Sequence, residues 1–224
     1  MATDILPHLL RPIILVLLLA AAPRTFAAEA PSPVFSPRTA EEVARAVEAH
    51  YSGLTDLVAR VVQKNFIKSV GKTQKFEGAL LIKKPGKLRL EYTNGQIIVI
   101  DGKEVWFYSR ENAQAIRRTF EDFEQANIPV AFLLGAGTIG RDFNVALLES
   151  EQGNFLELAP KKQGAAMQKL RLLVDDAGRI SRMIIFDRSG STSDILFADV
   201  RENTGIDDSK FRFKAPKGTE IIEQ

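Results

Sequence analysis

From Leu57 onward, turn pairs punctuate the chain at short intervals: Pro85-Gly86, Asn94-Gly95, Asp101-Gly102, Ala177-Gly178 and Ser189-Gly190. The apolar or alternating runs between them leave no room for crossover helices, so neighbouring strands must return on each other as antiparallel hairpins. Such runs fall at 57–69, 73–83, 87–93, 96–100, 104–109, 113–119, 143–149, 154–159, 167–174, 179–187, 192–200 and 210–213. Two stretches break the rhythm. Thr39-Ala-Glu-Glu42 has the spacing of a capping box, and Val43, Ala46, Val47 and Ala49 continue it as a helical stripe that Gly53 ends. Phe120 to Leu134 carries Phe123, Ile128, Phe132 and Leu133 at helical spacing around Pro129, before Gly135-Ala-Gly137. The expected fold is mainly β (α+β), a curved antiparallel sheet or open barrel with helical covers. No internal repeat or second linker interrupts it, so 38–224 is expected to be one domain.

Some strands ask for more than one layer. Lys87-Leu-Arg-Leu-Glu-Tyr92 alternates, with Leu88, Leu90 and Tyr92 on one face and charge on the other. Ile97 to Ile100, Val105 to Tyr108 and Met183 to Phe186 are apolar on both faces. An antiparallel strand of that kind needs cover on both sides. Two arrangements supply it: helices on one face and a second sheet on the other, or a concave face enclosing an apolar cavity for a lipid-like guest.

The first residues read as an address. Arg11, the apolar run Ile13–Ala22 and the small residues around Thr25-Phe26-Ala27-Ala28 are the three parts of a secretory signal peptide. The run is short of the ~20 residues of a membrane span. Cleavage is expected after Ala27, with Ala30 disfavoured by Pro31 and an uncleaved anchor as the alternative. Residues 28–37 contain Pro31, Pro33 and Pro37 and read as an extended lead-in. The expected location is therefore the periplasm. Without cysteine the mature chain cannot itself be acylated as a lipoprotein.

Little in the sequence points to chemistry. The absence of cysteine removes disulfides, thiolate metal sites and thiol nucleophiles. The histidines are His8, which leaves with the signal, and His50, placed for a capping or surface role at a helix end. Gly135-Ala-Gly-Thr-Ile-Gly140 follows a helix and lacks the Gly-Lys-Ser/Thr ending of a phosphate loop. Asp175-Asp176 and Asp207-Asp208 have the placement of turn formers, not of a calcium loop. No catalytic residue, metal site or cofactor is expected, and the protein is read as not an enzyme. Thirty basic against 28 acidic residues give a formal charge of +2, with no nucleic-acid signature. Basic pairs at Lys83-Lys84 with Lys87 and Arg89, at Arg117-Arg118 and at Lys161-Lys162 are solvated strand charges, with an acidic protein or anionic lipid surface as the functional alternative.

Phe76-Glu-Gly-Ala-Leu-Leu-Ile-Lys-Lys-Pro-Gly-Lys-Leu-Arg-Leu-Glu-Tyr92 and Asp101-Gly-Lys-Glu-Val-Trp-Phe-Tyr108 resemble the periplasmic outer-membrane lipoprotein carrier family, LolA. Supporting pieces follow in family order: Gln63-Lys-Asn-Phe66, Pro129-Val-Ala-Phe-Leu-Leu134, Leu156-Glu-Leu-Ala-Pro-Lys161, Phe186-Asp187 and Phe211-Arg-Phe-Lys-Ala-Pro-Lys-Gly218. The resemblance implies an unclosed β-barrel covered by a helical lid and enclosing an apolar cavity. It implies acylated lipoproteins as cargo, taken from an inner-membrane ABC exporter and passed to an outer-membrane acceptor. Leu88, Leu90, Tyr92, Ile98, Ile100, Trp106, Tyr108, Phe132 and Leu133 are the expected lining or lid residues. The family carries an arginine before the strand-opening proline, where it latches the lid; Lys84 stands there, and Leu88 replaces the family's aromatic three positions after the proline. Lysine offers a point charge instead of a planar fork. Two alternatives remain, an RseB-type lipid or lipoprotein sensor and a carrier of another exported lipid or glycolipid. Sensors of that type have a second domain after the barrel, so the extent of the chain favours a carrier, expected to be a monomer.

Overall fold

The turn pairs do fold the chain back on itself. The computed structural model describes residues 38–121, 138–151, 153–162 and 167–223. The chain opens with helix α1 (Ala40–Ser52), where the Thr39 hydroxyl accepts from the Glu42 amide at 3.2 Å and the Glu42 carboxylate accepts from the Thr39 amide at 2.8 Å. These reciprocal bonds satisfy two of the donors that a helix start leaves open. Ala44, Val47 and Tyr51 form its buried stripe.

The strands that follow are β1 (Asp56–Ile67), β2 (Lys72–Lys83), β3 (Lys87–Tyr92), β4 (Gln96–Asp101), β5 (Glu104–Ser109) and β6 (Gln114–Thr119). After the four-residue helix α2 (Ile139–Asp142) come β7 (Phe143–Leu148), β8 (Phe155–Pro160), β9 (Met167–Val174), β10 (Ile180–Asp187), β11 (Thr192–Glu202) and β12 (Glu220–Glu223). They form one sheet in the order β12-β6-β5-β4-β3-β2-β1-β11-β10-β9-β8-β7, which does not close on itself. Every pairing is antiparallel except β12 on β6, which is parallel. The longest strands, β1 and β2, sit centrally and pair over their whole length. Gly78 lies in β2 where a Cβ would come within 2.4 Å of the Glu91 carbonyl, so β3 can approach β2 closely only at a glycine.

Residues 210–213 correct one strand expectation. Phe211-Arg-Phe213 alternates like a strand, but Asp208–Phe211 is a 3₁₀ turn, and the last strand is β12, further along the chain. The alternation serves a strap, residues 203–219, that crosses the convex side of the sheet without joining its ladder. Phe211 is 1% exposed, and the Phe213 ring lies 5.3 Å from Trp106 and 5.6 Å from Tyr108. Lys83 and Lys87 each reach Asp208 at 2.6 Å, pulling that carboxyl down to about 2, and Arg89 donates to the Lys210 carbonyl at 3.1 Å. The second apolar face of β4 and β5 is thus covered by the strap, not by a second sheet. The helix expected over 120–134 falls, beyond Glu121, outside the described residues, as do the signal segment and the Pro-rich lead-in.

Asp56, 2% exposed at the start of β1, is where the strap is fixed. Its carboxylate accepts from the Thr204 amide and hydroxyl, both at 2.7 Å, and from the Gly205 amide at 2.9 Å. Its own carbonyl accepts from the Asn203 amide at 2.9 Å. Burial alone would push this carboxyl up, but the Thr204, Gly205 and Thr55 donors outweigh it and hold it below the ordinary 3.8. A depressed folded value means the unfolded chain binds the proton first, so this stability is full at neutral pH and is lost as pH falls below about 4. Asp56→Ala is expected to cost about 2 kcal/mol in urea unfolding at neutral pH, because the Thr204 amide and hydroxyl and the Gly205 amide lose a charged acceptor. Asp56→Asn should in addition flatten the acid limb of the stability curve below about pH 4. An unchanged urea midpoint for Asp56→Ala would remove the anchor role.

Candidate functional site

Register assigns each side chain to a face. Hairpin pairing sets Leu80, Leu90, Ile98 and Phe107 in one cross-strand row and Ile82, Leu88, Ile100 and Val105 in the next. Both rows lie on the concave side with Ala59 and Leu57 of β1. β11 and β10 extend this face through Phe197, Ile195, Met183 and Ile185. Two apolar faces of different character result, one under the strap and one on the concave side.

The concave face is graded. At the Asp56 end Leu57, Ile82, Leu88, Ile100 and Val105 are 0–6% exposed and share one cluster with Val47 and Tyr51 of α1. Further along the strands Leu90, Tyr92, Ile98, Phe107, Ile195 and Phe197 are only partly buried. This second zone is an apolar shelf in two groups, Leu90, Tyr92, Ile98 and Phe107 on β3–β5 and Ile195 and Phe197 on β11, with the buried Leu80, Ala59 and Val61 of β2 and β1 between them. At its outer margin the Tyr92 hydroxyl donates to Gln63 Oε1, and Gln63 donates to Asn65 at 2.8 Å. Burial pushes the Tyr92 phenol up to about 12, so it stays a neutral donor at any physiological pH. The shelf can hold a flexible hydrocarbon by area alone, and it has one small polar margin for orientation.

The residues expected from sequence divide along the same lines. Leu88, Leu90, Tyr92, Ile98 and Ile100 come together on the concave face, Leu88 and Ile100 in its sealed zone and the other three on the shelf. Trp106 and Tyr108 do not join them: they stand opposite Val99 and Ile97 on the convex side, beneath Phe213. Strict alternation within β5 requires this, since Val105 and Phe107 point inward. Phe132 and Leu133 lie outside the described residues. Phe107, Ile195 and Phe197 are shelf residues that sequence reasoning missed, and Ile185 lies on the same face.

Lys84 sits at the end of α1. Its backbone amide donates to the Thr55 carbonyl at 2.9 Å, and its ammonium donates to the Tyr51 carbonyl in the last turn of the helix. A cation there meets the negative end of the helix dipole. Burial draws the Lys84 ammonium below its ordinary value. Beside it His50 Nε2 lies 2.8 Å from Glu202, and the Ile180 amide donates to the Tyr51 hydroxyl at 3.3 Å. Gly178, at φ +83°, lets the β9–β10 turn abut α1; a Cβ there would fall 2.3 Å from the Ala46 carbonyl. The helix end is therefore fastened to the sheet by polar bonds and one close backbone approach.

Elsewhere the surface offers less. A groove of about 840 Å³ opens on the convex side between β11, β1, β2 and β3. Arg60 and Asp199 pair at 3.0 Å on its wall, with Glu77, Glu91 and Arg201 around it. Charged side chains rim the groove, while Val58, Ala59, Ala79 and Val200 give it an apolar lining. Among the described residues no group of three or more His, Cys, Asp or Glu is placed to hold a metal. No helix of the described residues is long and apolar enough to cross a membrane.

The family described as "Outer membrane lipoprotein carrier protein LolA" matches residues 52–214. A Nitrosomonas europaea protein named outer-membrane lipoprotein carrier protein is 32% identical over 154 residues, 66% of this chain and 73% of its own length. One of the same name from Chromobacterium violaceum is 30% identical over 204 residues, covering 89% and 96%. Among solved structures, an uncharacterized conserved protein from Thermus thermophilus superposes with a TM-score of 0.50 over 83% of this chain and 99% of its own, at 19% identity, a likeness of fold. The family match spans most of the chain and takes in β1 to β11 and most of the strap, so this chain belongs to the LolA family of outer-membrane lipoprotein carrier proteins.

Proposed function

We propose that this chain is a periplasmic carrier that holds the acyl chains of lipoproteins against its concave face and shuttles them from an inner-membrane ABC exporter to the outer membrane. The observation that carries the reading is the concave face itself, where a sealed zone beside α1 passes into partly exposed Leu90, Tyr92, Ile98, Phe107, Ile195 and Phe197. Family membership supports lipoprotein as the cargo. The sequence supports the compartment: residues 1–27 are a signal peptide, 28–37 a lead-in and 38–224 the carrier domain, acting as a monomer.

The energetics suit a carrier. Exposing acyl chain costs about 0.8 kcal/mol per CH₂, so one long chain in water is on the order of 10 kcal/mol unfavourable. A shelf of aliphatic and aromatic side chains offsets much of that by area, without directional bonds that would hold one chain length. Lys84 acts as the latch of the closed state through the Tyr51 carbonyl, the role that the family gives to arginine. Leu88 and Ile100 back the inner end of the site from the sealed zone.

The first test is mass spectrometry of the mature protein taken from its own periplasm without detergent. Acylated lipoprotein in near one-to-one amount is the expected result. A free lipid or glycolipid would move the substrate, and no ligand together with refusal of a fluorescent acyl probe would overturn the carrier role. Ile98→Asp and Ile195→Asp are each expected to weaken probe binding about tenfold with the thermal melt retained, since each places a carboxylate on the shelf. Equal affinity in both variants would move the site elsewhere.

Lys84→Ala should lower stability by about 2 kcal/mol and speed probe exchange, by removing a charge-assisted bond to the helix end. Lys84→Arg should keep both properties near the parent. If Lys84→Ala alters neither probe exchange nor cargo release, the latch role is wrong.

A further inference from the structure

The β1–β2 hairpin extends well past its neighbour. β3 pairs with β2 only from Gly78 to Lys83, so Lys72–Phe76 has no ladder partner on that side among the described residues. At about 3.3 Å per residue this is an overhang of about 17 Å. It lies at the shelf end of the sheet, away from Asp56 and Lys84. Its turn is a 3₁₀ segment, Lys68–Val70, closed by Gly71 at φ +63°, and the Lys68 amide donates to the Ser191 hydroxyl at 3.2 Å. The β10–β11 turn thus braces the overhang from behind.

The composition of this tip is unusual for a solvated turn. Residues 64–75 contain four lysines, Lys64, Lys68, Lys72 and Lys75, and no carboxylate. Lys75 pairs with Glu77 at 2.6 Å, while Lys64, Lys68 and Lys72 form no ion pair among the described residues. Two large apolar side chains stand out between them, Val70 at 60% exposure on the turn and Phe66 at 38% on the convex side. By contrast, several of the basic residues that the sequence made conspicuous are occupied: Lys83 and Lys87 hold Asp208, Arg89 holds Glu91, and Arg117 holds Glu104 and Glu223.

We propose that the β1–β2 tip is a membrane-docking element, with Val70 and Phe66 entering the headgroup region of an anionic bilayer and Lys64, Lys68 and Lys72 meeting its phosphates. Apolar side chains ringed by amines are the chemistry of interfacial binding, where shallow insertion and electrostatic attraction act together. An acidic protein would satisfy the amines but leaves the protruding Val70 unexplained, so the bilayer is favoured. The position gives the contact a use: it brings the open end of the shelf to the surface where acyl chains leave or enter lipid. That use rests on the carrier reading; the docking itself does not.

The test is sedimentation of the full mature protein with vesicles of phosphatidylethanolamine and phosphatidylglycerol, against vesicles of phosphatidylcholine alone, with the acyl probe read on the same preparation. Binding to the anionic vesicles, weakened by salt, is expected. The triple variant Lys64→Glu, Lys68→Glu, Lys72→Glu should reduce it at least tenfold, and Val70→Asp severalfold, with unchanged melting because these side chains are exposed. Probe uptake without vesicle binding, or vesicle binding that ignores both variants, overturns the docking element and leaves the carrier standing. Tip-dependent vesicle binding without probe uptake supports the docking element and sinks the carrier.

Discussion

An antiparallel strand with apolar side chains on both faces cannot be left against water on either, and β4 and β5 are such strands. Everything around them answers that requirement. On the convex side Val99, Trp106, Tyr108 and Ala115 would be exposed if the chain stopped at β11. The strap supplies Phe211 and Phe213 to cover them. A strap is a weaker cover than a sheet because it makes no continuous ladder, and its ordering must be offset by a few strong contacts. Asp56, the Lys83–Asp208–Lys87 cluster and the two phenylalanines are those contacts. β12 then ties the end beyond the strap into the sheet beside β6.

The strap covers Val99 and Tyr108 on the convex side, and on the concave side Leu90, Ile98 and Phe107 stay partly exposed next to the sealed zone at α1. The gradation matters as well. The zone next to α1 is packed like any core and fixes the shape, while the shelf beyond it carries the same residue types without the same burial. Structure and proposed binding surface are thus two stretches of the same strands.

Much of this was written in the local sequence. The capping box at Thr39 and Glu42 and the strands between turn pairs were legible because each depends on neighbours a few residues apart. The face of a strand depends on register, which is harder to see. Alternation alone treats Trp106 and Tyr108 as good as Val105 and Phe107. The two-residue loop Gly102–Lys103 decides between them: it pairs Ile100 with Val105, hence Ile98 with Phe107, and puts Trp106 opposite Val99. Counting from that turn would have found Phe107 and dismissed Trp106. Ile195 and Phe197 were less accessible, because β11 reaches the shelf by pairing with β1 across more than a hundred residues of chain. Phe211-Arg-Phe213 misled for a related reason: a segment laid flat on a sheet alternates like a strand even when it joins none.

The way α1 is fastened fits the proposed carrier, which would have to change its cover. Its middle is held by apolar packing of Ala44 and Val47, which tolerates small displacements. Its end is held by directional bonds: Lys84 to the Tyr51 carbonyl, His50 to Glu202, and Ile180 to the Tyr51 hydroxyl. Directional bonds give a helix end two distinguishable conditions, made or broken, whereas apolar contact loosens gradually. The two parts of the helix therefore have different work. Val47, fully buried, belongs to the core, and the polar bonds at Tyr51 fix how closely the end follows the sheet. For the proposed latch, lysine is sufficient where the acceptor is one backbone carbonyl: a planar fork gains its advantage against two acceptors, and the Tyr51 carbonyl is a single atom reached by a single charge.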